Sequence, residues 1–484
     1  MNETVNQYIQ NQISRGPTLL QSYVQDEVGN KYLTRNAFIR LQKQLRDFAN
    51  GQKEIRIIAI PGLRGVGKTT LLAQLFMDLY EKHPRDLFYV SADQVVNVLN
   101  SDLKTVFEEF ERVIGTSFEA LDRKLYFFID EIHFDDKWTS ILKMLYDRSK
   151  NIFIICTGSS ALSLQSTSDL ARRVIFEKLY PMNFTEYVLL KTRYISIQNR
   201  AVNVRFPVKG LKEVLRQSLF ASDSAETCFA KLQSIQNQIT QYWSTIDRLE
   251  IDRFMRFGTM PFALTIQDEN RTQVLTNQLI DKVVEKDLSH YGKFNQDTID
   301  AVKNILLMTA ASSEISFTNL TKSLSNLAIN TLIEVFNALE KAEMLIRVYP
   351  YGSAYKKVRK PSKYHFMTPA VRHTLLTIVE GDNAFLNNKG KYLEDIIALT
   401  LYREFGQKLA SPLFYDSAKG GADFILNLSQ EKIAIEVGYG NKGIEQTKQT
   451  LEKIKGKYGL VISNSPLAKE DNIVKVPLEY FLLI

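Results

Sequence analysis

Short apolar runs punctuate the first part of the chain at Ile55–Ile60, Leu87–Val90, Leu125–Ile129 and Asn151–Cys156. Each is four to six residues long and mostly β-branched or aromatic, the pattern of a buried strand. Between them apolar residues return at helical spacing. Leu71, Leu72, Leu75, Phe76 and Leu79 follow the first run, Leu103–Ile114 forms a further helical stretch, and Trp138, Ile141, Leu142 and Leu145 precede the fourth run. Val174–Phe176 is a shorter strand-like piece. Strands alternating with helices predict a parallel sheet covered on both faces, with ligand at the carboxyl ends of the strands. Residues 1–54 read as helical and polar, packed on the edge of that core, with breaks expected at Gly16-Pro17 and Gly29-Asn30.

Beyond residue 188 the strand signal fades into helices at Leu211–Leu219, Cys228–Ile239 and Val274–Val284. It returns after residue 300. Ile315–Leu324 predicts a turn and short helix, and Ile329–Ala342 a helix with Leu332, Ile333, Phe336 and Leu339 facing inward. Met344–Val348 and Lys363–Met367 predict two strands, and Asp382–Asn388 a linker. The remainder reads as helix Tyr392–Phe405, strands Asp423–Leu428 and Lys432–Val437, helix Ile444–Ile454 and strand Gly459–Ser463.

The first apolar run leads into Gly62-Leu-Arg-Gly-Val-Gly67-Lys68-Thr69, a full match to G-x-x-x-x-G-K-[ST]. Glycines let the backbone turn tightly and bring N–H groups up to phosphate oxygens. Lys68 supplies a charge to the β and γ phosphates, and Thr69 a hydroxyl to Mg²⁺. The helix that follows turns its positive dipole end toward the anion. The third run ends in Asp130-Glu131. At such a strand end Asp130 can hold Mg²⁺ and Glu131 can take a proton from the attacking water, so Glu131 and Lys68, with Arg172 and Arg173 further on, are the candidate catalytic residues. The fourth run ends in Thr157-Gly-Ser159-Ser160, which either orients that water or senses the γ-phosphate, or simply caps the next helix. Arg172 and Arg173 are either an arginine finger, in cis or toward a neighbouring subunit, or a solvated pair. The expected ligands are ATP and Mg²⁺, with nucleotide contacts from Gly62, Gly65, Val66, Gly67, Lys68, Thr69, Thr70 and Thr157.

Charge adds one local feature. The formal excess is +7, and Met344–Val379 holds seven basic residues (Arg347, Lys356, Lys357, Arg359, Lys360, Lys363, Arg372) with no acid. Tyr349, Tyr351 and Tyr355 lie among them, a mixture suited to phosphate contact and base stacking; the bland alternative is a solvated loop. Two cysteines, Cys156 and Cys228, exclude a disulfide framework or cysteine-based zinc cluster. No apolar run reaches the roughly 20 residues that span a bilayer, and the N-terminus lacks a signal-peptide core. A cytoplasmic protein without membrane contact is expected.

The order of GLRGVGKTT, FFIDEIH, IICTGSSALSL, ARR before a strand and LYPMNFTEY resembles the AAA+-like and STAND-like archaeal-type ATPases, over roughly residues 30–380. The resemblance implies ATP hydrolysis, a helical lid beside the P-loop sheet, and homo-oligomers if an arginine finger acts in trans. Phe254–Phe262 is similar to a Gly-Gly-x-Pro element of that family, with Thr259 at the second glycine; His133 stands where glutamine is usual. Residues 301–380 resemble a winged helix, although Glu334 and Glu340 make its recognition helix poor for reading a major groove.

The tail resembles the restriction-endonuclease-like fold. The resemblance implies a Mg²⁺ site at Glu394, Asp423 and Glu436 and DNA contact through both the basic wing 344–379 and the tail. Gly438 stands where a working member carries lysine, leaving Lys442 or Lys448 as substitutes and Gln446 as a further candidate. The alternative is an inactive tail that binds a partner. The expected fold class is thus α/β: a P-loop parallel sheet with helical lid, winged helix and a nuclease-like α/β domain. The expected divisions are a helical segment 1–30, ATPase core 31–187, lid 188–300, winged helix 301–380 and nuclease-like domain 388–484.

Overall fold

The apolar runs become strands. In the computed structural model β1 (Ile57–Pro61), β2 (Leu87–Ser91), β3 (Leu125–Asp130), β4 (Ile152–Gly158) and β5 (Val174–Phe176) form one sheet in the order β2-β3-β4-β1-β5. All four pairings are parallel. Every residue of β1, β3 and β4 is buried, as strands covered on both faces require. The structure describes residues 3–26, 29–52, 54–159, 172–199, 210–266, 268–312, 314–324, 327–353, 360–406, 413–428 and 431–484. They divide into two units, Met1–Tyr180 and Pro181–Ile484.

In the first unit the sheet is flanked by α1 (Glu3–Val24), α2 (Asn36–Ala49), α3 (Lys68–Tyr80), α4 (Ala92–Asn97), α5 (Leu103–Ile114) and α6 (Trp138–Arg148). The local signals for α5 are complete. Asp102 caps its start by accepting from the Thr105 N–H at 2.8 Å, and Gly115, at φ 67°, ends it. Its inner face brings Phe107 and Phe110 against Phe127, with ring centroids 5.0 and 5.6 Å away.

The break expected at Gly16-Pro17 does not occur: α1 runs through both residues. A proline inside a helix costs about 3 kcal/mol. That cost is offset because Val5, Ile9, Leu20 and Val24 are all buried on one face, each worth roughly 1.5–3 kcal/mol. The face packs on α3, α5 and β2, so α1 covers the β2 edge of the sheet as expected. The turn at Gly29-Asn30 is present, with Asp26 accepting from the Asn30 backbone and side-chain N–H groups at 2.8 and 3.0 Å.

The second unit opens with helices, including Phe184–Asn199, Leu211–Phe220, Ala225–Ser234 and Gln236–Trp243. The stretch Cys228–Ile239, expected as one helix, is split near Ile235. At the Gly-Thr-x-Pro element, Phe254–Gly258 is a π-helical turn. A Cβ on Gly258 would stand 2.9 Å from the Phe254 and Tyr187 rings, so only glycine fits there without movement. Thr259 is fully buried and shares a 2.7 Å hydrogen bond with the Thr368 hydroxyl.

Next come helix Gln296–Ala311, β6 (Glu314–Ile315), helices Phe317–Ser323 and Ile329–Lys341, β7 (Leu345–Pro350) and β8 (Ser362–Phe366). The chain continues through helices Pro369–Glu380 and Ala384–Phe405 to β9 (Phe414–Tyr415), β10 (Phe424–Leu428) and β11 (Glu431–Val437). Helix Glu445–Ile454, β12 (Tyr458–Ser463), β13 (Ala468–Glu470) and β14 (Ile473–Pro477) complete it. All nine strands form one mixed sheet, ordered β13-β14-β12-β11-β10-β9-β7-β8-β6. The joint is the parallel pairing of β7 with β9, Tyr349 beside Phe414.

The linker expected at Asp382–Asn388 is helical instead: a short 3₁₀ turn at Gly381–Asn383 leads into helix Ala384–Phe405. That helix kinks at Asn388, whose amide donates to Glu380 and to the Ala384 carbonyl. Within the unit Arg372 and Asp395, both fully buried, form a two-bond pair at 2.6 and 2.8 Å. Arg372 also donates to the Ala310 carbonyl, and Asp395 accepts the Phe366 N–H. One ion pair thus ties four elements, and removing either partner leaves a bare buried charge worth about 3–5 kcal/mol.

Candidate functional site

Strand β1 delivers the glycine-rich turn and α3 starts at Lys68, so the sequence motif sits at the carboxyl end of the sheet. Gly65 and Gly67 take φ values of 82° and 90°, a region that side chains disfavour. A Cβ on Gly62 would run into the Leu179 carbonyl oxygen, so that position is glycine for closeness of backbone. Lys68 is buried with its ammonium 2.9 Å from the Gly62 carbonyl and 3.3 Å from that of Leu63. Val66 is fully buried, and Thr70 lies in the first turn of α3.

Thr69, Asp130, Thr157 and Glu131 form one hydrogen-bonded chain. Thr69 Oγ1 donates to Asp130 Oδ2 at 2.9 Å, and the Thr157 hydroxyl donates to Asp130 Oδ1. Thr157 Oγ1 in turn accepts the Glu131 N–H at 3.0 Å. Burial raises the Asp130 carboxyl to about 6, with the Glu131 charge acting the same way; the two hydroxyls and Lys68 pull against them. A hydroxyl and a carboxylate held together beside the phosphate cradle are the donor set that Mg²⁺ takes with a nucleotide. Glu131 has φ 51°, a left-handed conformation that costs a non-glycine residue roughly 1–2 kcal/mol. Its backbone is held there by Thr157, and its carboxylate lies 3.4 Å from His133 Nδ1. Thr157→Val therefore should slow steady-state phosphate release by about tenfold or more while ATP affinity by calorimetry changes by less than about threefold. Unchanged turnover would remove Thr157 from the site.

The arginine finger in cis is corrected. Val174 pairs with Ile57 at the start of β1, so Arg172 and Arg173 lie at the opposite end of the sheet from the cradle. The chain then rises alongside β1, and Leu179 donates to the Pro61 carbonyl beside the cradle. At about 3.3 Å per residue that places Arg173 on the order of 17 Å from the phosphate end. Arg173 instead pairs with Asp147 at 3.3 Å and stacks on Tyr146, while Arg172 is exposed. Ser160 and Ala171 lie outside the described residues.

One residue had no motif to announce it. Arg35, 9% exposed just before α2, donates to the Val66 carbonyl and to the Tyr180 carbonyl, each at 2.9 Å. It braces the cradle from behind. Because its partners are main-chain carbonyls, no residue pattern could reveal it.

The second unit brings Glu394, Asp423 and Glu436 toward one another, from helix Ala384–Phe405, the entry to β10, and β11. Each stands next to Asp423 closely enough that its charge raises the Glu394 and Glu436 carboxyls, behind burial as the first cause; Glu436 reaches about 7. Yet among the described residues no three acidic, histidine or cysteine groups gather closely enough to hold a metal ion. Ammonium groups stand there instead. Lys363 reaches Asp423 Oδ1 at 3.0 Å, and Lys442 reaches Glu436 Oε1 at 2.8 Å. Lys448 points away to Asp471 at 2.7 Å, and Gln446 lies against Gly420.

The basic stretch is not one solvent-facing patch. Arg372 is sealed against Asp395, Lys363 turns in to Asp423, and Arg347 stacks over Tyr349, 4.5 Å from the ring centroid. Lys360 is exposed, and Lys356, Lys357, Arg359 and Tyr355 lie outside the described residues. No helix among the described residues is long and apolar enough to cross a membrane.

A family model described as an AAA domain matches residues 54–188, and one described as a domain of unknown function (DUF8612) matches residues 248–382. The uncharacterized protein MJ1637 of Methanocaldococcus jannaschii is 33% identical, over 99% of this chain and 94% of that protein. The uncharacterized protein MJ1544 of the same organism is 24% identical, over 79% of this chain and 75% of that protein. Among solved structures, the ORC1 protein of Aeropyrum pernix in complex with DNA is 12% identical and covers 74% of this chain and 94% of its own, with a TM-score of 0.34. AMPPCP-bound DnaA from Aquifex aeolicus is 16% identical and covers 66% of this chain and 91% of its own, with a TM-score of 0.28.

Proposed function

The chain belongs to the family of the Methanocaldococcus jannaschii protein MJ1637 and carries an AAA domain, and from that premise we propose that it binds ATP in the Gly62–Thr70 cradle and hydrolyses it. The observation that carries the reading is the unbroken chain Thr69–Asp130–Thr157–Glu131 beside Lys68. Backbone N–H groups of the cradle and Lys68 take the phosphates, and Thr69 with Asp130 would hold Mg²⁺. That ion, when bound, neutralises charge on the β and γ phosphate oxygens. Glu131 accepts the proton of the attacking water, and Thr157 fixes both acids in place. Arg172 and Arg173 are either a solvated surface pair or, in a homo-oligomer, a finger toward a neighbouring subunit's nucleotide.

We assign the hydrolysis to work on nucleic acid. Support comes from the order helix, short strand, two helices and hairpin across residues 296–366, which suits a winged helix. The domain divisions at 1–30, 31–187, 188–300, 301–380 and 388–484 remain part of this proposal. A second reading, a nucleotide-dependent switch with a non-cutting tail, is favoured by one observation: lysines neutralise Asp423 and Glu436. The test is phosphate release by the full chain with Mg²⁺, with and without duplex DNA. We expect basal turnover that DNA stimulates severalfold. Turnover indifferent to DNA would leave the switch, and no turnover under either condition would overturn the ATPase reading.

A further inference from the structure

The backbone of Glu131 is held by Thr157, while its carboxylate faces the ring of His133, with Oε2 lying 3.4 Å from Nδ1. The same ring nitrogen accepts the Ser159 N–H at 3.3 Å. A ring nitrogen carries either a lone pair or a proton, so Nδ1 cannot accept from Ser159 and donate to Glu131 at once. With the Ser159 N–H engaged, Nδ1 turns a lone pair toward the carboxylate, and that contact is no hydrogen bond.

The ring is the fixed member of this trio. Its side chain is 3% exposed, on the 3₁₀ turn Ile132–Phe134, with the Phe134 ring centroid 4.8 Å away. Buried Asp135 anchors that turn by accepting the Leu103 N–H at 2.8 Å and the Lys137 N–H at 2.9 Å. The Glu131 side chain, in contrast, reaches solvent. Ser159 directly follows β4, the strand whose Thr157 accepts the Glu131 N–H and donates to Asp130. The end of β4 therefore acts on Glu131 by two routes: on its backbone through Thr157, and on its carboxylate through Ser159 and His133.

We propose that His133 is a positioning residue that relays the state of the β4 end to Glu131. When the Ser159 N–H turns to a γ-phosphate oxygen, Nδ1 carries the ring proton and donates to Glu131 Oε2, which aims the other carboxylate oxygen at the attacking water. The ring stays neutral throughout: the Nε2 proton leaves to water as another arrives from water at Nδ1. With a diphosphate, Ser159 returns to the ring and the carboxylate loses its guide. The relay rests on the hydrolysis reading above and deepens it, since the triphosphate itself sets the base in place.

The test has two readouts on the full chain. In ¹⁵N-histidine-labelled protein, imidazole nitrogen shifts distinguish a protonated ring nitrogen from a bare one. The chain has five histidines, and the His133 signal is the one that His133→Gln removes. Nδ1 should be bare with ADP and Mg²⁺ and protonated with the non-hydrolysable analogue AMPPCP and Mg²⁺. The second readout is steady-state phosphate release. His133→Phe keeps a ring beside Phe134 but neither accepts nor donates, so kcat should fall about tenfold or more while KM stays within about threefold. His133→Gln, whose amide can donate to Glu131, should turn over at least about fivefold faster than His133→Phe. A packing role would reverse that order, sparing phenylalanine and harming glutamine. The same tautomer with both nucleotides, or His133→Phe no slower than His133→Gln, overturns the relay while hydrolysis stands. A wild type that binds AMPPCP but releases no phosphate from ATP overturns the hydrolysis reading instead, and the tautomer comparison then judges the relay by itself.

Discussion

A chain carrying Lys68→Met binds ATP at least about a hundredfold more weakly than wild type. The ammonium of Lys68 is almost sealed from water and is held by two loop carbonyls, with no carboxylate in contact among the described residues. Neutral acceptors compensate a buried cation only partly, so the loop is prepared for an anion, and a charge-assisted bond to phosphate in such a setting contributes about 3 kcal/mol. Methionine keeps the stem and its packing in the first turn of α3, so the change tests charge rather than fold. Calorimetry with ATP and Mg²⁺ gives the answer, and undiminished affinity would remove the cradle as the nucleotide site.

Glu131→Gln produces the complementary phenotype. ATP binds within about threefold of wild type, while turnover falls by roughly 10²–10⁴, the usual contribution of a positioned general base. The two carboxylates are placed for different tasks. Asp130 is buried and bonded on both oxygens by hydroxyls, so its carboxyl is fixed in place. Glu131 is a step further out, with its side chain 22% exposed and so within reach of solvent. Its left-handed backbone makes the side chain leave the strand end at an unusual angle, and the amide of glutamine keeps that shape while losing the basicity. Single-turnover phosphate release measures the effect directly, and equal rates would take Glu131 out of the chemistry.

The first unit was legible because its signals are local. The apolar runs behind β1 to β4, and the motif between β1 and α3, depend on residues near one another in the chain. Where a long-range contact decided the matter, sequence reasoning failed. Gly16-Pro17 looks like a break until the buried face of α1 is weighed against it. Arg35 acts through carbonyls, which every residue carries. The basic stretch misled because composition counts charges without their partners: Arg372 and Lys363 find theirs in Asp395 and Asp423, 23 and 60 residues further along. Glu394, Asp423 and Glu436 do not gather into a metal-holding group among the described residues, and nothing in their spacing foretold that a lysine from β8 would pair with Asp423.

The pairing of β7 with β9 also sets an order of events during synthesis. Phe414 follows its partner Tyr349 by 65 residues, so β7 emerges from the ribosome with one edge unpaired. At about 5–20 residues per second its partner arrives some 3–13 seconds later, a long interval for an open strand edge. Until then β7 can pair only with β8. Pairings this distant in sequence close slowly, because the loop between them must be gathered first. The second unit should therefore reach its final sheet late, and a nascent chain halted before residue 414 would present a free edge to whatever strand comes near it.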